Sequence, residues 1–89
     1  MNKNESINAP VPGTIFLQPS PDQDSFVNNG DFVKKGDVIA LIEIMKSYYE
    51  IKSEQEGIFE GFLVNNGDIV HAGQQIAAIK IVESAAKGE

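Results

Sequence analysis

Met45 and Lys46 stand between two segments that read as β-strands, and Lys46 is the residue best placed to do chemistry, as a primary amine projecting from a loop. Val38-Ile39-Ala40-Leu41-Ile42 is short, rich in β-branched residues and preceded by Gly36-Asp37, the pattern of a buried strand. From Tyr48 to Ser53 the chain alternates, with Tyr49 and Ile51 on one face and Tyr48, Glu50 and Lys52 on the other, as a half-buried strand does. Pairing 38–43 with 48–53 as a hairpin makes Met45-Lys46 its two-residue loop, with Ile44 opposite Ser47 and Glu43 opposite Tyr48. Such loops demand positive φ at both central residues and favour Asn-Gly. Met-Lys breaks that rule in an otherwise consistent sequence, and a local rule broken once marks a candidate functional position.

No other set of side chains offers a reaction of its own. His71 is the only histidine and there is no cysteine, so nucleophile-and-base pairs are missing. Asp22 with Asp24, and Glu54 with Glu56, lack a third ligand at metal-binding spacing. Thirteen acidic residues against seven basic ones give a formal charge of −6, which opposes binding to a phosphate backbone and excludes a nucleic-acid module. Val38 to Ile42, five residues, is the longest unbroken apolar run, against the roughly 20 that a spanning helix needs. No basic-then-apolar leader opens the chain, and a cytoplasmic protein without a membrane role is expected. With 89 residues and 42% hydrophobic side chains, the chain has room for one small domain around a single core.

The elements that hold Lys46 come from a duplication. At an offset of 37, Val27-Asn28-Asn29-Gly30-Asp31 recurs as Val64-Asn65-Asn66-Gly67-Asp68, and residues 27–43 match at ten of seventeen positions. Upstream the match resumes at an offset of 44, with Ile7 and Gly13 beside Ile51 and Gly57, so the first copy carries an insertion between Phe16 and Phe26. Its content, Leu17-Gln18-Pro19-Ser20-Pro21-Asp22-Gln23-Asp24-Ser25, is loop chemistry. Strands are also expected from Ile58 to Val64 and from Ile76 to Val82. Val33 and Val70 each fall midway between turn glycines and are expected to plug the core. Two copies are too few for a solenoid, so two interlocked halves related by a pseudo two-fold axis are expected. In the offset-37 register the counterpart of Lys46 lies in the terminal segment, which places the lysine at one pole and the chain ends at the other. His71 corresponds to Lys34 and is expected at an exposed turn. Residues 1–6 and 83–89 are expected to be disordered tails, leaving 7–82 as the domain with its insertion at about 17–25.

Glu43-Ile44-Met45-Lys46, the paired Val-x-x-Gly-Asp segments and the length together resemble the biotinyl domains of biotin-dependent carboxylases, the biotin carboxyl carrier proteins. The resemblance spans roughly residues 7–81, and its specific element is Met-Lys, where the related lipoyl domains carry Asp-Lys. Pro19-Ser20-Pro21-Asp22 resembles the thumb of the carrier subunit of bacterial acetyl-CoA carboxylases. The sequence departs from the pattern at Ile44 and Ser47, where the family has Ala or Val and Met, and at Gln18, where it has Thr.

The resemblance implies an all-β fold, a flattened barrel or sandwich of two four-stranded antiparallel sheets with the lysine at a hairpin tip and a thumb. It implies biotin joined covalently to Lys46 by a biotin protein ligase that reads Met45 and Glu43, with Gln18, Pro19, Ser20 and Pro21 as thumb contacts to the ring and Gln18 offering its amide to the ureido group. The chain would then be a non-catalytic carrier between biotin carboxylase and carboxyltransferase, supplying acetyl-CoA carboxylase and fatty acid synthesis. A lysine amine is protonated at neutral pH, so the ligase must supply the base. Two other readings remain open. One is a lipoyl carrier of a 2-oxo acid dehydrogenase, and the other a non-carrier interaction module of the same barrel.

Overall fold

The sequence duplication reappears as strand boundaries. The computed structural model describes residues 2–82 and contains β1 (Asn2–Asn8), β2 (Gly13–Phe16), β3 (Phe32–Val33), β4 (Val38–Ile44), β5 (Ser47–Lys52), β6 (Gly57–Phe62), β7 (Ile69–Val70) and β8 (Gln75–Val82). An offset of 37 carries β3 onto β7 and Val38 onto Gln75, and an offset of 44 carries Asn8 onto Lys52 and Gly13 onto Gly57. The strands form two four-stranded antiparallel sheets, β1-β8-β6-β3 and β5-β4-β2-β7, and exchanging the two copies converts one strand order into the other. The all-β sandwich with pseudo two-fold symmetry is therefore the architecture of the chain.

The copies interlock because each lends its turn to the other. Gly30 and Gly67 both sit at φ 92°, a conformation that costs a side-chain-bearing residue dearly. Their N–H groups donate to Phe59 and Ile15 carbonyls at 2.7 and 2.8 Å, each in the opposite copy. Asp31 and Asp68 carboxylates accept the N–H groups of Asn28 and Asn65 and close the same turns. Ile15, Ile39 and Ile42 then meet Phe59, Ile76 and Ile79 in one core, none of the six more than 1% exposed. Val33 and Val70 are buried beside them, which bears out their expected place.

Four expectations need correction. The segment 1–6 is not a tail over its described part, since Asn2–Asn8 forms edge strand β1 in register with β8 from Asn2↔Val82 onward. Its polar side chains carry no apolar alternation, but an edge strand needs only its backbone ladder on one side. The tail expected over 83–89 lies outside the described residues. β5 is not half buried, because of Ser47–Lys52 only Ile51 is buried, the strand being an edge that runs out toward the hairpin tip. β6 stops at Phe62 rather than Val64, after a bulge at Glu60 that shifts its register against β8 between Phe59 and Gly61. Finally, Leu17 is buried in the core, and Phe26 N–H donates to its carbonyl at 3.0 Å, so the inserted loop is residues 18–25.

Candidate functional site

β4 and β5 form the hairpin that the spacing predicts, with Glu43↔Tyr48 and Ile44↔Ser47 as its last pairs. The turn holds Met45 at φ 49° and Lys46 at φ 68°, the only described residues other than glycine with positive φ. Those two angles belong to the primed turn that matches strand twist. A side chain there costs about 1–2 kcal/mol per residue against glycine. The strain falls on the residue whose amine projects. Met45 is 92% exposed, Lys46 is exposed, and among the described residues Lys46 makes no hydrogen bond or ion pair.

The hairpin occupies one pole of the sandwich. Val33 is level with Ile81 through Gly57, and a tight turn over 34–37 joins it to Val38, the end of β4 away from the tip. The β1–β8 ends therefore lie opposite Lys46, as the duplication predicts.

Close approach of β2 to β4 fixes the base of the hairpin. A Cβ on Gly13 would lie 2.5 Å from the Glu43 carbonyl oxygen and 2.6 Å from Ile42 Cγ2, so only glycine fits beside Glu43. Glu43 itself is half-buried on the outer face, between Thr14 and Tyr48.

The inserted loop folds back as a self-braced thumb. Gln18 Nε2 donates to the carbonyls of Ser20, Pro21 and Gln23 at 2.8, 3.1 and 2.9 Å, and the Ser20 hydroxyl is shared between Asp22 Oδ1 and Gln23 Oε1. Gln18 was expected to offer its amide to a ring, and this is corrected in part: the nitrogen is spent inside the thumb, leaving Oε1 as an acceptor. Gln18 to Pro21 form one wall of a groove whose other lining includes Phe16, Leu41 and Tyr48. Met45 and Lys46 do not line it.

Sequence reasoning passed over three residues. Phe16 and Tyr48 contribute rings 6.4 Å apart to the groove, which only strand register could have revealed. Asn66 Oδ1 accepts the Leu17 N–H at 2.7 Å and ties the foot of the thumb to the second copy's turn. Its repeat in Asn28-Asn29 concealed that role, since both copies read as turn chemistry. His71 is exposed at a turn, as its correspondence with Lys34 predicts. Among the described residues no group of three or more His, Asp or Glu is placed to hold a metal ion, and no helix is long and apolar enough to cross a membrane.

Two interlocked copies of a duplicated sequence, joined by a strained hairpin with an exposed lysine, define a barrel-sandwich domain of the lysine-presenting class. The chain belongs to the family described as biotin-requiring enzyme, whose model matches residues 5–79. It is 45% identical over 51 residues to the chloroplastic biotin carboxyl carrier protein of acetyl-CoA carboxylase from Glycine max, covering 57% of this chain and 20% of that protein. The corresponding carrier protein of Pseudomonas aeruginosa is 37% identical over 57 residues, 64% of this chain and 36% of the relative. The chain thus spans about a fifth to about a third of these relatives. The crystal structure of Kluyveromyces lactis urea carboxylase is similar over 86% of this chain and 6% of its own, with a TM-score of 0.71 and 27% identity.

Proposed function

We propose that this chain is the carrier domain of a biotin-dependent carboxylase, holding biotin through an amide bond to Lys46 Nζ. The observation that carries this reading is the Met45-Lys46 turn, with positive φ at both residues and an unencumbered amine at the pole away from the chain ends. Similarity to carrier proteins of acetyl-CoA carboxylase supports it and favours acetyl-CoA carboxylase as the enzyme served.

The chain's own residues account for presentation, not catalysis. The rigid hairpin offers Nζ to the ligase, which removes its proton, and Nζ then bonds to an activated acyl carbon as the leaving group departs. Biotin supplies a ring nitrogen that accepts carboxylate from a biotin carboxylase and yields it to a carboxyltransferase. Confinement on a lysine arm replaces a diffusing cofactor with one held at high effective concentration near a docked active site.

In this reading the thumb groove receives the ring. Phe16, Leu41 and Tyr48 offer apolar contact, Pro19, Ser20 and Pro21 a wall, and Gln18 Oε1 an acceptor for a ureido N–H. Met45 and Glu43 flank the lysine where the ligase reads it.

Biotin ligase and lipoate ligase, each with its own acid and ATP, test the reading side by side. The loaded protein is then offered to a biotin carboxylase with bicarbonate and ATP. Biotinylation that lets the domain accept carboxylate is the result expected; exclusive lipoylation would replace this reading with that of a lipoyl carrier.

A further inference from the structure

The chain carries one stretch twice, Val27-Asn28-Asn29-Gly30-Asp31 and Val64-Asn65-Asn66-Gly67-Asp68, and each copy sets an asparagine directly before a glycine. Such a pair is open to attack on itself, because the glycine nitrogen reaches the asparagine side-chain carbonyl carbon with no Cβ in the way. Identical local sequences would share one reactivity. Both asparagines are exposed to water and hydroxide, and both glycine N–H groups are held alike, Gly30 to the Phe59 carbonyl at 2.7 Å and Gly67 to the Ile15 carbonyl at 2.8 Å.

The asparagine side chains are not held alike. Asn66 Oδ1 accepts the Leu17 N–H at 2.7 Å, which fixes its carboxamide. Phe16↔Leu41 and Gly61↔Ala78 are equivalent pairs in the duplication, so the counterpart of Leu17 is Phe62, the next residue of β6. No such bond forms from Phe62. β6 carries a bulge at Glu60 that β2 lacks, and the Asn29 carboxamide lies instead over Gly61, where a Cβ would stand 3.2 Å from Oδ1 and 3.3 Å from Nδ2. Among the described residues the Asn29 side chain makes no hydrogen bond.

We propose that Asn29 is a site of spontaneous deamidation in the folded protein, and that its twin Asn66 is protected by the foot of the thumb. When the turn opens locally, the Gly30 nitrogen gives its proton to hydroxide and bonds to Asn29 Cγ. The Cγ–Nδ2 bond breaks, Nδ2 takes a proton from water and leaves as ammonia, and a cyclic imide remains. Water then opens the imide at one of its two carbonyls. The product is aspartate, or isoaspartate with the backbone rerouted through the side chain. At Asn66 the same path must first break the bond from Leu17. Isoaspartate lengthens the backbone of a turn in which Asp31 N–H reaches the Asn28 carbonyl at 3.0 Å. The bonds from Gly30 to Phe59 and from Phe59 to Asp31, which tie the copies together, depend on that closure. The damage falls beside β3 and β6, in the sheet without the hairpin, so stability falls while Lys46 stays presented.

The test ages the purified chain at mildly alkaline pH, folded in one sample and unfolded in guanidinium chloride in another. Trypsin then places the two asparagines on separate peptides, since Lys34, Lys35, Lys46 and Lys52 lie between them. Mass spectrometry reads deamidation at each position, and labelling by an isoaspartyl methyltransferase counts the isoaspartate. In denaturant the two sites are expected to react at equal rates. In the folded protein Asn29 is expected to react about fivefold faster than Asn66, the factor carried by one net hydrogen bond. Asn29→Asp, which adds the charge without lengthening the backbone, is expected to melt like wild type, and the aged isoaspartate fraction to melt lower. Equal rates in the folded protein, or a faster Asn66, would overturn the proposal. So would a folded chain still intact at Asn29 after the unfolded sample has reacted fully. An isoaspartate fraction that melts like wild type would overturn the loss of stability assigned to it.

Discussion

Ile44 and Ser47 face each other at the foot of the Met45-Lys46 turn, and their counterparts by duplication, Ile81 and Lys3, face each other at the opposite pole. The same pairing is closed by a strained two-residue loop in one place, and in the other it sets the start of β1 beside the end of β8. A nearly symmetric fold thereby presents a single lysine at a hairpin tip. That asymmetry, rather than any pocket, is what supports the role proposed for Lys46.

Replacing Lys46 with alanine should abolish acylation and leave the melting temperature within a few degrees of wild type, because the side chain is exposed and without partners. Met45→Gly should raise stability by about 1 kcal/mol, or roughly 5 °C for a domain of this size, by relieving a positive φ. Thermal melts followed by circular dichroism check both.

Two changes should break the frame that holds the hairpin. Val33→Asp buries an unpaired carboxylate at a site 3% exposed, a cost of several kcal/mol against a total stability of about 5–15 kcal/mol, and should unfold the domain. Gly13→Ala drives a Cβ against the Glu43 carbonyl and Ile42 and should cost about 3 kcal/mol. Urea titration measures both losses.

The thumb should be dispensable for folding. Phe26 N–H already reaches the Leu17 carbonyl, so deleting residues 18–25 joins ends that lie together. The deletion variant is expected to melt cooperatively and to accept biotin, while lacking the ring-induced shifts of Phe16 and Tyr48 resonances that NMR of the loaded wild type is expected to show. Gln18→Ala should free the thumb's carbonyls and speed proteolysis within 18–25, with little change in the melt.

The duplication was the most legible feature, because Asn-Gly-Asp turns and core isoleucines leave identities at fixed spacing. From it came the two interlocked halves and the pole of Lys46, while the hairpin register down to Ile44↔Ser47 came from pairing two strand patterns and the sheet count from the family resemblance. What escaped was written in the backbone. β1 is an edge whose polar side chains hide its ladder to β8, and the exposure of Tyr48 and Tyr49 goes with the edge position of β5. The Glu60 bulge absorbed one residue of the offset, which blurred where the thumb begins. The bond from Leu17 to Asn66 links residues 49 apart in sequence, and no local pattern announces it.

Intact mass with peptide mapping, after incubation with biotin ligase, biotin and ATP, tests attachment at Lys46 most directly. One biotinyl group on the peptide containing Lys46, and none on the Lys46→Ala protein, is the result this account predicts. A modification that persists in Lys46→Ala, or a wild-type chain that stays unmodified, would contradict it.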